Sequence, residues 1–287
     1  MEQESLPSFF EDLATRYFIP VAAQVAAWRT EMNRQPLILG INGAQGTGKS
    51  TLSLVLAKAL EHQHHLTSAV LSIDDIYHTH EHRAELAKSI HPLLATRGVP
   101  GTHDIELGLS VIKSIKDGHF PATLPSFDKV TDDRKPVEYW QQLDQSVDVL
   151  IFEGWCVGAQ AEPPAQLASP VNTLEQKEDQ HTQWRTFVNQ QLQQDYTELF
   201  SLIDKLVMLK APDFECVYHW RGQQEQKLRQ RIKKADPPSK IMTDQQLARF
   251  IMHYERLTRW MFSEMPGRAD IIIELNQNHQ VKRTAGL

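Results

Sequence analysis

The sequence is poor in cysteine and contains no long hydrophobic run. Cys156 and Cys216 are the two cysteines among 287 residues, and their spacing matches neither a zinc site nor a redox motif. No apolar run approaches the ~18 residues that a membrane-spanning helix needs, and the acidic start lacks the basic region of a signal peptide. These absences predict a cytoplasmic protein with reduced thiols and no membrane association.

The chain also lacks the excess of lysine and arginine that is typical of nucleic-acid-binding proteins, because its net charge is −6. An anionic ligand would therefore have to meet local clusters of cations. We find neither an internal repeat nor a flexible linker, and a hydrophobic fraction of 41% is sufficient for a full core. We predict a single domain over 1–287, with N-terminal helices in 1–34, a core in 35–275 and a lid in 213–240. The sequence leaves the oligomeric state open.

Five apolar runs of strand length predict a mainly parallel, five-stranded sheet, and amphipathic stretches between them predict helices on both of its faces. The strands are expected at 37–42, 68–73, 147–152, 204–209 and 269–275. A helical pattern over 8–33 precedes the first of them. The predicted fold is therefore a three-layer α/β domain with helical insertions. Residues 158–181 are rich in proline, glutamine and glutamate, which predicts an exposed and partly mobile insertion.

The first predicted strand leads directly into a glycine-rich loop, G-x-x-x-x-G-K-S, and then into a helical pattern. This order of strand, loop and helix is the P-loop unit. Its glycines allow backbone N–H groups to surround phosphate oxygens, its lysine reaches the β- and γ-phosphates, and its serine hydroxyl binds Mg²⁺. The predicted nucleotide-binding residues of this loop are Gly43, Ala44, Gln45, Gly46, Thr47, Gly48, Lys49, Ser50 and Thr51.

Carboxylates follow two more of the predicted strands. Asp74 and Asp75 come directly after the strand at 68–73, where parallel sheets place ligands, and a helix cap would require only one of them. Glu153 follows the strand at 147–152 as a Walker B acid does, and such an acid positions Mg²⁺ or the nucleophile. We predict four catalytic residues, namely Lys49, Asp74, Asp75 and Glu153. The predicted Mg²⁺ ligands are Ser50, Asp74 and Glu153.

Two polar loops contain the predicted substrate-binding residues, because cations suit a carboxylate and carboxylates suit hydroxyl groups. The loop at 91–104 contains Arg97, Thr102, His103 and Asp104. Capping the next helix is an equal alternative for Asp104. The loop at 125–134 contains Asp128, Lys129 and Arg134, and its alternative interpretation is a solvated turn. Tyr77, which follows the Asp-Asp pair, completes the predicted substrate site.

A long predicted helix after Asp213 contains three further cationic candidates for the nucleotide site, Arg221, Lys227 and Arg229. In a P-loop protein such a helix can close over the phosphates as a lid, and the alternative is a solvated helix face. Clustered histidines over 61–65 lie at the end of the P-loop helix. Their position favours a solvated polar helix end over a metal site.

Six motifs in this order resemble those of the D-glycerate 3-kinase family of P-loop kinases, which belongs with the uridine kinases and phosphoribulokinases. The motifs, found within residues 35–275, are GAQGTGKST, SIDDIY, RGVPGTHD, SFDK, FEGWCVG and HW-R…E. The resemblance implies ATP and Mg²⁺ as cofactors. It also implies transfer of the γ-phosphoryl group to a small hydroxylated acceptor, D-glycerate, with 3-phosphoglycerate as the product. Asp74 falls on the aspartate that is the general base of uridine kinases.

The chain departs from the uridine kinases in its second polar loop. Residues 125–134 are similar to their P-x-Y-D-x-x-x-H-x-R loop, but Asp132 replaces the histidine, which argues against a pyrimidine nucleoside as the acceptor. The alternatives that remain are a kinase for another polyol or nucleoside, and a non-metabolic NTP-dependent switch or metallochaperone. A guanine-specific switch would be expected to contain an N-K-x-D motif, which this sequence lacks.

Overall fold

The computed structural model describes residues 12–32, 35–232 and 242–287, and for 227–232 it describes the backbone alone. The strands are β1 (Leu37–Gly43), β2 (Ser68–Ser72), β3 (Ala122–Leu124), β4 (Phe127–Asp128), β5 (Asp133–Arg134), β6 (Gln141–Leu143), β7 (Val149–Gly154), β8 (Lys205–Lys210), β9 (Ile271–Leu275) and β10 (Val281–Ala285). The α-helices are α1 (Ile19–Glu31), α2 (Lys49–His64), α3 (His80–Ser89), α4 (Ile105–Lys116), α5 (Thr173–Glu178), α6 (Gln183–Gln193), α7 (Asp195–Ser201), α8 (Phe214–Ile232) and α9 (Asp244–Glu264).

Six strands form the central sheet in the order β10-β9-β8-β1-β7-β2. Five of them, β1, β2, β7, β8 and β9, run parallel, as predicted. The sixth, β10, was missed by the sequence analysis and pairs antiparallel with β9 at one edge. Its sequence, Val-Lys-Arg-Thr-Ala, is mostly exposed, so it lacks the apolar run on which the strand predictions depended.

The predicted N-terminal helix is represented in the described residues by a π-helical turn at Ala14–Phe18 and by α1. Residues 8–11 and 33 of that prediction lie outside the described ranges. Within those ranges, no helix is both long and apolar enough to cross a membrane.

Strand β1 lies in the middle of the sheet, and its residues are buried on both faces. Leu39 and Ile41 pack into one core cluster with Leu52 of α2, whereas Ile38 packs into the other with Ile112 of α4. Successive side chains of a strand point to opposite faces, so this alternation joins the two helical layers through one strand. The three-layer architecture is therefore built around β1, the strand that enters the P-loop.

The segment at 158–181 is exposed at most of its residues, as predicted, but a few buried side chains anchor it to the protein. Leu167 and Leu174 are buried in it, and it contains a 3-10 turn at Pro164–Ala168 together with α5. Three of its carboxylates are buried as well, since Glu162, Glu175 and Asp179 are less than a tenth exposed. The composition gave no indication of these contacts, since their partners lie on α6 and α9.

An ion-pair network around Arg256 of α9 holds this segment in place. The guanidinium donates to both carboxylate oxygens of Glu175, each at 2.7 Å, and Glu162 lies 3.3 Å away on another nitrogen. The carbonyl groups of Gln166 and Ser169 accept from the same guanidinium, at 3.2 and 2.6 Å. Removal of such a buried cation lowers the stability of the fold, because the carboxylates would remain buried without a counter-charge.

We predict that Arg256→Met lowers the free energy of unfolding by about 3–5 kcal/mol at neutral pH, because it leaves two buried carboxylates unpaired. The matched control is Arg249→Met, two turns earlier on the same side of α9, where both partners of the pair with Glu178 are almost half exposed. That change should cost at most about 1 kcal/mol. Urea unfolding followed by circular dichroism measures both values. Equal effects of the two substitutions would contradict the anchoring role of Arg256.

Candidate active site

The P-loop begins where β1 ends and closes by local hydrogen bonds. The backbone N–H and hydroxyl of Thr47 both donate to the carbonyl of Ala44, at 3.2 and 2.8 Å. Gly48 has a φ of 88° and directly precedes α2, and a Cβ added there would meet no atom within 4 Å. A left-handed residue that borders open space lets the N-terminus of α2 face a phosphate group, as the motif predicts.

Two residues from the far end of the chain support the back of this loop, and the sequence analysis missed both. Gly46 lies so close to Trp220 that a Cβ on the glycine would come within 2.7 Å of the tryptophan Cβ. The imidazole of His279 lies 3.9 Å from the indole and donates from Nε2 to the carbonyl of Gly46, at 3.0 Å. Polar residues between β9 and β10 indicate a turn, but their contact with the P-loop depends on the tertiary structure.

Ser50 and Glu153 meet beside the P-loop, as the sequence predicted. Glu153 lies within β7 instead of after it, and in the sheet it is the neighbour of Ile41 on β1. The Ser50 hydroxyl donates to Oε1 of Glu153 at 3.2 Å. The other oxygen, Oε2, is buried and has no hydrogen-bond partner in the described part of the chain. A serine hydroxyl next to an unsatisfied carboxylate oxygen is a donor set that suits Mg²⁺.

Asp74 lies in a 3-10 turn that follows β2, with its carboxylate between two donors. The hydroxyl of Tyr77 donates to Oδ1 at 2.9 Å, and the ammonium of Lys129 lies 2.5 Å from Oδ2. Burial raises the pKa of Asp74, but the charges of Lys129 and Lys49 outweigh it and hold the pKa at about 2. Asp74 is therefore ionised and lies near both the P-loop lysine and the second polar loop.

Asp75 has other hydrogen-bond partners than Asp74 and a different role. It accepts from the N–H of Ser72 in a capping box and from the N–H of Phe127 at 3.1 Å. Burial raises its pKa above the ordinary value, and the negative charge of Asp74 adds to this. Asp75 thus fastens the second polar loop to the end of β2, which the Asp-Asp sequence alone did not indicate.

His103 is buried and stacks on Tyr77, with the ring centroids 4.5 Å apart. Its Nδ1 lies 2.5 Å from the hydroxyl oxygen of Tyr196, which also accepts from the N–H of Gly101. The tyrosine proton is thus directed to Nδ1, which assigns the ring proton of a neutral histidine to Nε2. Burial lowers the pKa of His103 to about 3, so the neutral form is the stable one. Nε2 has no hydrogen-bond partner among the described residues.

The arginines of the two polar loops are already paired with carboxylates. Arg97 and the buried Arg83 both contact Asp132, which stands where uridine kinases have histidine, and both guanidinium groups lie over the ring of Phe127. Arg134 donates to Asp104 and to the carbonyl of Tyr77, each at 2.9 Å. These pairs connect the loops to one another.

Three other predicted substrate residues stabilise the loops locally. Asp104 accepts from the N–H of Leu107 and caps α4, as the alternative interpretation proposed. The Thr102 hydroxyl is fully buried and donates to the carbonyl of Val99 at 2.7 Å. Asp128 accepts from the N–H of Val130 at 2.8 Å. The structure gives these three side chains a role in shaping the loops.

The predicted lid helix is α8, and its first half packs beside the P-loop. Arg221 pairs at 3.0 Å with Glu225, which is buried and also accepts from the N–H of Met242 before α9. The side chains of Lys227 and Arg229 lie outside the described residues.

The chain is similar to several known kinases. The uncharacterized kinase mug58 of Schizosaccharomyces pombe is 35% identical over 234 residues, which are 77% of this chain and 79% of that protein. The chloroplastic D-glycerate 3-kinase of Arabidopsis thaliana is 29% identical over 252 residues, and this match covers 82% of the chain but only 50% of the plant protein. No protein-family model matches the sequence.

A solved structure of D-glycerate 3-kinase from Cryptococcus neoformans var. grubii aligns with a TM-score of 0.76 and 27% identity. The alignment covers 98% of this chain and 99% of that one. The similarities identify an ATP-dependent phosphotransferase that acts on a small-molecule acceptor. The chain therefore belongs to the D-glycerate 3-kinase family of P-loop kinases.

Proposed function

We propose that the protein phosphorylates the 3-hydroxyl of D-glycerate, with ATP as the phosphoryl donor. The observation that carries this proposal is the environment of Asp74, a largely buried carboxylate between Lys49 of the P-loop and Lys129 of the second polar loop. One of these cations suits the phosphates and the other suits the charge of an acidic acceptor. The carboxylate between them is in position to accept the proton of a hydroxyl group.

On the nucleotide side, Lys49 and the backbone N–H groups of the P-loop would bind the phosphates. Ser50 and Glu153 fit Mg²⁺, because the hydroxyl and the unsatisfied carboxylate oxygen are both hard oxygen ligands. The metal would supply positive charge against the phosphate oxygens. Asp74 was predicted as a third ligand. We assign it instead to the acceptor, because both of its oxygens already contact donors, Tyr77 and Lys129.

The proposed reaction is an in-line displacement in which Asp74 is the general base. Asp74 accepts the proton of the acceptor hydroxyl while the hydroxyl oxygen forms a bond to the γ-phosphorus and the bond from that phosphorus to the bridging oxygen breaks. The products are the phosphate monoester and ADP. Tyr77 positions the base, because its hydroxyl holds Oδ1 of Asp74 at 2.9 Å and its ring is packed on His103.

On the acceptor side, Lys129 and His103 offer complementary contacts. The ammonium of Lys129 suits the carboxylate of the acceptor. The Nε2–H of His103 is a buried donor without a protein partner in the described chain, and it suits a hydroxyl or carboxylate oxygen. Arg97 and Arg134 support this surface through their pairs with Asp132 and Asp104. The site would then recognise an acid by charge and its hydroxyl groups by hydrogen bonds.

The first prediction from this site concerns Lys49→Ala. The substitution removes a charge-assisted contact to the β- and γ-phosphates, so turnover should fall by about 10²–10³-fold while the fold persists. The matched control is Lys58→Ala, an exposed lysine on the same helix, which should retain wild-type turnover. ADP formation in a coupled assay measures both. Normal turnover by Lys49→Ala would refute the nucleotide-site assignment.

The two neighbouring aspartates give a second prediction. Asp74→Asn should reduce kcat by about 10²–10⁴-fold with little change in the KM for ATP, because it removes the proton acceptor. Asp75→Asn should mainly lower the melting temperature, because one of two backbone N–H groups, those of Ser72 and Phe127, loses its acceptor. Thermal melts and steady-state kinetics distinguish the two effects. A large loss of kcat in Asp75→Asn together with a near-normal kcat in Asp74→Asn would reverse the assignment.

The third prediction is the acceptor itself. D-Glycerate should stimulate ADP formation above the rate in buffer, and ³¹P NMR should identify the product as a monoester at the 3-position. The screen should also include L-glycerate, other hydroxy acids, glycerol, pentoses and uridine. Stimulation by a pentose or nucleoside, with none by D-glycerate, would leave the protein a kinase but would overturn the glycerate assignment.

A further inference from the structure

The contact between Lys129 and Asp74 joins an exposed side chain to a largely covered one. The Lys129 side chain is 61% exposed, whereas the Asp74 side chain is 25% exposed. The lysine therefore reaches from the solvent side of the second polar loop onto a carboxylate that is largely covered. The exposed ammonium can reach an anion on the solvent side, and Lys49 and Tyr77 continue to stabilise the charge of Asp74 when Lys129 leaves it.

The two oxygens of Asp74 are the positions that an acceptor hydroxyl must reach. Tyr77 donates to Oδ1 from within the core, where it is 3% exposed, and Lys129 lies on Oδ2 at 2.5 Å. Because Tyr77 is fixed by its packing, Lys129 is the donor that can leave Asp74. A hydroxyl group within hydrogen-bond reach of Oδ2 would compete directly with the ammonium.

The loop that contains Lys129 is anchored on both sides of this residue, and its tip is exposed. Phe127 at one end donates its N–H to Asp75, and Arg134 at the other end is tied to Asp104. At the tip, Lys129 is followed by Val130, whose side chain is 67% exposed. The ammonium group can therefore change its partner without movement of the strands β4 and β5.

The arginines of the site cannot change partners in this way. Arg97 and Arg134 are 24% and 18% exposed, and each is bound to a carboxylate of the loops, Asp132 and Asp104. Arg134 also donates to the carbonyl of Tyr77. Release of either arginine would disturb the loops, whereas among the described residues the side chain of Lys129 is hydrogen-bonded to Asp74 alone.

We propose that the carboxylate of the acceptor draws the ammonium of Lys129 away from Asp74, so that binding of a hydroxy acid is the event that frees the base. This inference rests on the proposed function and makes Lys129 the specificity-determining residue of the acceptor site. A neutral polyol of the same size offers no anion to the lysine and leaves Asp74 paired. Water is also neutral and leaves Asp74 paired with Lys129, so ATP hydrolysis without an acceptor stays slow.

The test compares an acid with its neutral counterpart in the full-length protein. ADP formation is measured with ATP and Mg²⁺ in the presence of D-glycerate, glycerol or no acceptor. Lys129→Met should reduce the ratio of kcat/KM for glycerate to that for glycerol by about 10- to 100-fold, the value of one charged hydrogen bond. It should also raise the acceptor-independent hydrolysis of ATP above the wild-type rate, which loss of a binding contact alone would not do.

Two further variants complete the design. Lys129→Arg retains the charge and should keep most of the preference for the acid. Lys135→Met removes an exposed lysine from the end of the same loop and should behave as wild type in all three measurements. Both controls exclude a general effect of loop substitution or of net charge.

The outcomes separate this inference from the proposed substrate. If Lys129→Met lowers kcat/KM for glycerate and glycerol equally, or leaves acceptor-independent ATP hydrolysis unchanged, Lys129 does not control the base. The inference then fails while the kinase assignment stands. If another hydroxy acid replaces D-glycerate as acceptor, the glycerate assignment fails, and the same ratio with that acid and its neutral alcohol decides the role of Lys129. A wild-type preference for neutral polyols over every acid would overturn the inference directly.

Discussion

Strand β1 is hydrogen-bonded to β7 and β8 along both of its edges, and its residues are buried on both faces of the sheet. A chain in this position can turn only at the end of the strand, and Gly43 begins that turn. Because the neighbouring strands run parallel to β1, their carboxyl ends lie at the same edge of the sheet. Glu153 on β7 and Asp74 after β2 consequently face the loop that begins at Gly43.

The cations around this edge divide into two groups with different physical roles. Arg83, Arg97 and Arg134 are bound to Asp132 and Asp104, and these pairs give the polar loops their shape. A planar guanidinium that makes several directed bonds is suited to such a fixed role. Lys129 has a flexible stem, one carboxylate partner and an exposed side chain, which suits a cation that must change partners.

The P-loop, the parallel strands and the carboxylates that follow β2 and end β7 could be predicted because each depends on residues that are close in sequence. An apolar run followed by G-x-x-x-x-G-K-S is sufficient to predict a P-loop, and an acid at the end of a buried strand is sufficient to predict a carboxylate at the edge of the sheet. Edge strand β10 escaped prediction because its exposed position requires no apolar residues. The anchoring contacts of the segment at 158–181 could not be predicted either, because the cation that pairs with Glu175 is Arg256, far along the chain.

The sequence by itself determined which groups can carry out the chemistry, because residue type and local spacing decide whether a loop can surround phosphate and whether an acid ends a strand. Only the tertiary structure decided which of two chemically equivalent groups has which role. Asp74 and Asp75 are adjacent and chemically identical, yet one contacts Lys129 while the other accepts the N–H of Phe127. Likewise, the buried hydroxyl of Tyr196 sets the proton position on His103. These assignments depend on side-chain direction and on distant partners, and neither is encoded in a local motif.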